Sequence, residues 1–144
     1  GGMIGRIMRI LVLEDEDSIR RMISALVQAR GFEVVGVSNG VKAVDEALTK
    51  APDVAILDLM VPGAFDGFEV CRRLRQNSVT SRIPIIIISA LDDVTSRRRA
   101  LEAGATTYFV KPFSAIALLK ELEAVKAGKP LPSASSLAPK SFKS

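Results

Sequence analysis

The chain has 144 residues, 48% of them apolar, enough for one ordinary domain with a sizeable core. No run approaches the ~20 consecutive apolar residues that span a bilayer, so no membrane-spanning helix is expected. The net charge of +4 is carried entirely by Lys126, Lys129, Lys140 and Lys143; residues 1–125 hold 16 basic residues against 16 acidic ones, so the basic pI is no argument for nucleic-acid binding.

Residues 1–8 read as a leader, with Gly1-Gly2 ahead of Met3 taken as a cloning remnant and no charged-then-apolar signal-peptide layout. Cys71 is the one cysteine and cannot form an internal disulfide, which together with the missing signal peptide points to the reducing cytoplasm.

Ile10-Leu11-Val12-Leu13 is a bare apolar run that ends in Glu14-Asp15-Glu16-Asp17, and it reads as a first strand. Ile19, Met22, Ile23, Leu26 and Val27 then recur at helical spacing, with Asp17 or Ser18 as N-cap and Gly31 as stop. Glu33 to Val37 is a second strand. Val41, Val44, Ala47 and Leu48 mark a second helix that ends before Pro52. Val54-Ala55-Ile56-Leu57 runs straight into Asp58 as a third strand, and Phe68, Cys71 and Leu74 define a third helix starting near Asp66-Gly67. Pro84 opens Ile85-Ile86-Ile87-Ile88, a fourth strand that stops at Ser89-Ala90. Asp92 is a candidate cap for a fourth helix ending at Ala103, with Gly104 beyond it. Thr107-Tyr108-Phe109-Val110 is a fifth strand ending in Lys111-Pro112, and Ser114 caps a last helix with Ile116, Leu118, Leu119, Leu122 and Val125. Residues 126–144, rich in Lys, Pro, Ser and Ala, read as a tail or linker.

Strands alternating with helices in five units imply an α/β fold, a parallel sheet covered on both faces. Ligands of such sheets bind at the carboxyl ends of the strands. Four strands deliver polar side chains there: Glu14 and Asp15 after the first, Asp58 at the third, Ser89 at the fourth and Lys111 after the fifth. Carboxylates suit a hard dication such as Mg²⁺, which usually also holds a phosphate. Lys111 and Ser89 offer a positive charge and a hydrogen bond to phosphoryl oxygens, and Asp58 offers a nucleophile towards phosphorus.

Residues 9–125 resemble the receiver domain of two-component response regulators. The resemblance is carried by Ile10-Leu11-Val12-Leu13-Glu14-Asp15-Glu16, Leu57-Asp58-Leu59-Met60-Val61-Pro62-Gly63, Ile88-Ser89-Ala90 and Tyr108-Phe109-Val110-Lys111-Pro112-Phe113, in that order and spacing. It implies a flavodoxin-like doubly wound sheet of five parallel strands in the order 2-1-3-4-5. Asp58 becomes the phospho-acceptor. Glu14, Asp15, Asp58 and the Met60 backbone carbonyl become the Mg²⁺ ligands. Ser89 becomes the switch hydroxyl, Tyr108 the aromatic that changes rotamer with it, and Lys111 the partner of Asp58 and then of the phosphoryl oxygens. The Lys111-Pro112 bond is implied to be cis. Phosphorylation would add about −1.5 to −2 charge and shift the face made by the fourth helix, fifth strand and fifth helix towards an output partner or domain. The donor would be a histidine kinase or phosphotransfer protein, since the chain has no His.

Plainer readings stand beside these. Asp17, Asp66 and Asp92 read as caps or turn residues, Cys71 as core, Arg97-Arg98-Arg99 as a solvated helix face, and Tyr108 equally as a core tyrosine with a satisfied hydroxyl. The Pro62–Gly67 turn is one residue longer than is usual in the family. Thr106-Thr107 stands where the DNA-binding winged-helix subfamily carries an acidic pair, and the last helix lacks that subfamily's basic residues, so its dimer is not expected; no helix-turn-helix segment is read either, and direct nucleic-acid binding is not expected. Met60 and Leu91, both apolar, flank the expected phosphoryl position and are expected to slow its hydrolysis. The alternatives are an aspartyl-phosphate phosphohydrolase, disfavoured because Met60 stands where that family's second acid belongs, a flavin or nucleotide-binding domain, which lacks a phosphate-cradling loop, and a degenerate receiver serving as an interaction scaffold.

Overall fold

The computed structural model describes residues 6–129. Ten elements alternate: β1 (Arg9–Leu13), α1 (Asp17–Gln28), β2 (Glu33–Val37), α2 (Gly40–Lys50), β3 (Val54–Asp58), α3 (Gly67–Gln76), β4 (Ile85–Ser89), α4 (Val94–Ala103), β5 (Thr107–Val110) and α5 (Ala115–Lys126). All strand pairs are parallel, in the order β2-β1-β3-β4-β5. This is the flavodoxin-like arrangement expected from the sequence. The chain leaves β1 towards β2 on one side and returns to β3 on the other. Such a reversal opens a crevice at the carboxyl ends of β1 and β3.

The uninterrupted apolar runs are explained by burial on both faces, with successive side chains pointing opposite ways. Leu11, Leu13, Ala55, Leu57, Ile85 and Ile87 pack with Ala43 and Ala47 of α2, Phe68, Cys71 and Leu74 of α3, and Ala100 and Ala103 of α4. Ile10, Val12, Val54, Ile56, Ile86 and Ile88 pack on the other face with Ile23 and Val27 of α1 and Leu118 and Leu122 of α5. Each such Ile or Leu contributes about 1.5–3 kcal/mol of burial, which makes the two layers the rigid frame of the sheet edge. Not every apolar residue at helical spacing joins them: Met22, Val41, Leu48 and Ile116 are exposed.

Two helix starts differ by one residue from expectation. The N-cap of α1 is Glu16, without a side-chain cap; Asp17 instead pairs with Arg20 at 2.5 Å and Arg21 at 3.9 Å. The cap of α4 is Asp93, whose carboxylate accepts from the Ser96 N–H and hydroxyl at 3.0 and 2.7 Å, while Asp92 pairs with Arg97. Asp66 and Ser114 cap α3 and α5 as expected. Arg97 and Arg99 are also not merely a solvated face: their guanidinium groups lie over the rings of Tyr108 and Phe68.

At the start of α3, Gly67 lies against the end of β3. A Cβ there would stand 2.3 Å from the Asp58 carbonyl oxygen and 2.5 Å from Leu59 Cα, and the Gly67 N–H donates to the Leu59 carbonyl at 3.0 Å. At the amino end of the chain, Arg6 pairs with Asp53 and the Met8 carbonyl accepts from Glu33 N–H. Of the expected leader, residues 1–5 lie outside the described residues; so does most of the expected tail, residues 130–144. Among the described residues, no helix is long and apolar enough to cross a membrane.

Candidate functional site

The sheet ladder continues one residue past β1 and β5. The Glu14 N–H donates to the Val37 carbonyl at 3.1 Å and the Lys111 N–H to the Ser89 carbonyl at 2.8 Å. These bonds fix the backbones of Glu14 and Lys111 at the same edge as Asp58, the last residue of β3. The bond between Lys111 and Pro112 is cis, as the resemblance implies.

The Lys111 ammonium lies between two carboxylates, donating to Glu14 Oε1 at 2.7 Å and Asp58 Oδ2 at 2.9 Å. Glu14 is fully buried and Asp58 is 3% exposed, so both need partners. The second oxygen of each is met by main chain: Glu16 N–H donates to Glu14 Oε2 at 3.0 Å and Met60 N–H to Asp58 Oδ1 at 3.1 Å. Burial opposes the charge of Lys111, but its hydrogen bonds to Glu14 and Asp58, and then their charges, prevail and hold it above the ordinary lysine range.

Asp15 is exposed at the same edge, and carboxylate oxygens of Glu14, Asp15 and Asp58 lie within 4.8 Å of one another. Three acids against one ammonium leave two surplus negative charges, and every donor is a hard oxygen. The set fits a small hard dication such as Mg²⁺ in number, chemistry and charge. Met60 follows Asp58 at two residues' distance, with its side chain 60% exposed.

Ser89 and Tyr108 meet elsewhere, on the main chain of one residue, Leu91. The Leu91 N–H donates to Ser89 Oγ at 3.0 Å, and the Tyr108 hydroxyl donates to the Leu91 carbonyl at 2.7 Å. Ser89 is buried, and Tyr108, 4% exposed, belongs to the core layer under α2–α4. Its hydroxyl is pushed above the ordinary tyrosine value by burial, with Ser89 and the Arg97 charge offsetting part of this.

Glu14, Asp15, Asp58 and Lys111 are therefore brought together as expected, while among the described residues no hydrogen bond joins the Ser89 hydroxyl to the Asp58 or Lys111 side chain. Sequence reasoning missed the main chain of Leu91, the Asp92–Arg97 pair and the fit of Gly67 against Asp58. It also missed Thr107, which donates to the fully buried Glu121 carboxylate at 3.3 Å. The available signal for Glu121 was an acid beside Leu122 in an otherwise apolar stripe.

The receiver-domain model of response regulators matches residues 10–123, and the chain belongs to that family. Phosphorylation and Mg²⁺ binding are typical of it. The chain is 40% identical over 117 residues to the phosphate regulon transcriptional regulatory protein PhoB of Rhizobium meliloti, covering 81% of this chain and 51% of PhoB. It is 38% identical over 118 residues to the response regulator MprA of Mycobacterium avium, covering 82% of this chain and 50% of MprA. It thus spans about half the length of these regulators. Among solved structures, the chemotaxis response regulator CheY4 of Vibrio cholerae superimposes with a TM-score of 0.76 at 32% identity, covering 83% of this chain and 98% of CheY4. The signal receiver domain of a DNA-binding response regulator from Colwellia psychrerythraea gives 0.78 at 28% identity, covering 83% and 98%.

Proposed function

We propose that Asp58 of this receiver domain accepts a phosphoryl group from a phosphohistidine donor. The observation that carries the reading is the Lys111 ammonium held between Asp58 and Glu14, with Asp15 alongside, at the carboxyl edge of the sheet. Glu14, Asp15, Asp58 and the Met60 backbone carbonyl would hold Mg²⁺, which when bound supplies positive charge to the phosphoryl oxygens. An Asp58 carboxylate oxygen forms the new O–P bond as the P–N bond to the donor imidazole breaks, and the departing imidazole takes its proton from solvent. Lys111 already contacts that carboxylate and follows the added oxygens.

The new charge draws the Ser89 hydroxyl away from the Leu91 N–H. Because the Leu91 carbonyl holds Tyr108, the loop between β4 and α4 connects the acceptor to the α4–β5–α5 face. That face carries the output to a downstream partner or domain. The donor is a histidine kinase or phosphotransfer protein: the sequence has no His of its own. The module is a phospho-acceptor that assists its own phosphorylation and slow dephosphorylation, and we place it in the cytoplasm, without direct contact to nucleic acid.

A general acid for a leaving group, which a phosphohydrolase needs, is lacking at the position two after Asp58, where Met60 presents an exposed thioether chain. The test is intact-mass spectrometry after incubation with a small-molecule phosphodonor, with and without Mg²⁺. A single phosphoryl gain that requires Mg²⁺ and disappears in Asp58→Asn is expected. A gain that persists in Asp58→Asn would move the acceptor elsewhere, and no gain even from a phosphorylated histidine kinase panel would overturn the reading.

A further inference from the structure

Arg97 sits in the first turn of α4, half-buried, between Asp92 of the loop it follows and the Tyr108 ring of β5. Its guanidinium donates to Asp92 at 2.7 Å and lies over the Tyr108 ring, 4.9 Å from the centroid. The hydroxyl at the ring's edge holds the Leu91 carbonyl, whose residue is gripped at its N–H by Ser89. The contacts close a circuit, Ser89–Leu91–Tyr108–Arg97–Asp92, around one loop. We infer that Arg97, anchored by Asp92, is a positioning residue that keeps Tyr108 in its buried rotamer and so sets the fraction of molecules with the ring inside. This deepens, and rests on, the reading of Ser89 and Tyr108 as the switch pair.

The physical case is that a ring can be held from its face or by its hydroxyl, and Tyr108 is held both ways. A cation over a ring is attracted by its negative face, and when partly desolvated the contact shifts a two-state ratio by ~3- to 10-fold. The ion pair to Asp92 stops the arginine from following the ring outward. When the phosphoryl group draws Ser89 away, Leu91 loses one of its two grips, and the Arg97 stack is then what retains the ring. A helix face with several arginines would lack this effect unless one of them were tethered to the loop itself.

The chain contains one tyrosine and no tryptophan, so intrinsic fluorescence and phenol titration both read position 108 alone. The groups facing the Tyr108 hydroxyl and ring are Ser89, the Leu91 carbonyl, Arg97, Asp92 and Asp93. Acrylamide quenching and spectrophotometric titration are to be compared in the native protein, Arg97→Met, Arg97→Lys and Asp92→Asn, with far-UV circular dichroism as the folding check. In Arg97→Met the quenching constant should rise ~3-fold or more, and the phenol should titrate closer to the ordinary tyrosine value as the ring reaches water. Asp92→Asn should move both readouts in the same direction by less, and Arg97→Lys should restore part. Unchanged quenching in Arg97→Met, with the phenol titrating higher because a positive charge has gone, would overturn the inference.

The link to the phosphoryl site is tested in the same samples after incubation with phosphodonor and Mg²⁺, followed by intact mass. Phosphorylated Arg97→Met should stay more quenchable than phosphorylated native protein. Equal shielding in the two phosphorylated forms would show that Arg97 does not retain the ring there. Absence of the mass gain in every sample would count against the phospho-acceptor reading of Asp58, while the tyrosine readouts would still decide the role of Arg97.

Discussion

Lys111 is the residue on which the charge balance of the site turns. Glu14 and Asp58 are both almost wholly buried, and Lys111 is the only cation bonded to either carboxylate among the described residues. Lys111→Met would leave two carboxylates facing each other. Losing one partner of a buried pair costs about 3–5 kcal/mol; since Lys111 is one-fifth exposed, a loss of about 1–3 kcal/mol is expected. A dication would replace the missing charge, so Mg²⁺ should stabilise Lys111→Met by more than it stabilises the native protein. Urea unfolding with and without Mg²⁺ measures this, and equal Mg²⁺ effects in the two proteins would contradict it. Glu14, Asp58 and Lys111 were legible because apolar strands end abruptly in charge. The sharing of Lys111 between two acids was not, because no local pattern states how far apart residues 14 and 111 lie. The role of Leu91 was invisible for another reason: a main-chain N–H and carbonyl have no residue signature.

Among the elements, the strands and most helices follow from periodicity, while the caps show where local reasoning stops. Asp92 and Asp93 are equally good N-caps by type, and Arg97, one turn on, takes one of them as an ion-pair partner. At α1, Asp17 likewise pairs with arginines of the helix's next turn, Arg20 and Arg21, and the cap position falls on Glu16. Helix α3 carries the most direct link from an element to the site, because Gly67 rests on the backbone of Asp58 and Leu59. Gly67→Ala must displace either α3 or the end of β3, and a backbone neighbour cannot yield as a side chain can. A destabilisation of about 2–4 kcal/mol is expected, together with slower phosphorylation of Asp58. Gly36→Ala, in β2, is the control. Its Cβ would meet only side-chain atoms, none nearer than 3.5 Å, and a strand glycine gives up about 0.5–1 kcal/mol to alanine, so this variant should be neutral or slightly more stable. Comparable losses in both variants would show that close approach to Asp58 is not the cause.

For the molecule as a whole, the balanced charge of residues 1–125 hides groups whose protonation the fold strongly biases. Cys71 is buried between α3 and α4, its thiol donating to the Ala103 carbonyl at 3.4 Å, and burial pushes it up to about 11. Lys111 is also raised. For the thiol, the unfolded chain ionises from the ordinary value of 9.0 while the folded chain stays protonated. The folded state therefore binds more protons between those values, and stability falls as pH rises through them. The same sign holds for Lys111: its contribution is complete below 10.5, its unfolded value, and is lost as pH passes through the higher folded one. Between pH 9 and 11 the thiol should remove about 2–3 kcal/mol. Cys71→Ala will be less stable than the native protein at neutral pH because it leaves a small cavity, but its stability should decline less steeply from pH 9 to 10.5, with a remaining fall above that from Lys111. Urea midpoints across this range give both slopes. Parallel curves would place the ionisation of Cys71 outside the folding equilibrium and would remove the case for a closed α3–α4 interface. A shallower variant curve would show that the layer beneath Asp58 excludes even a thiolate, as a closely packed interior does.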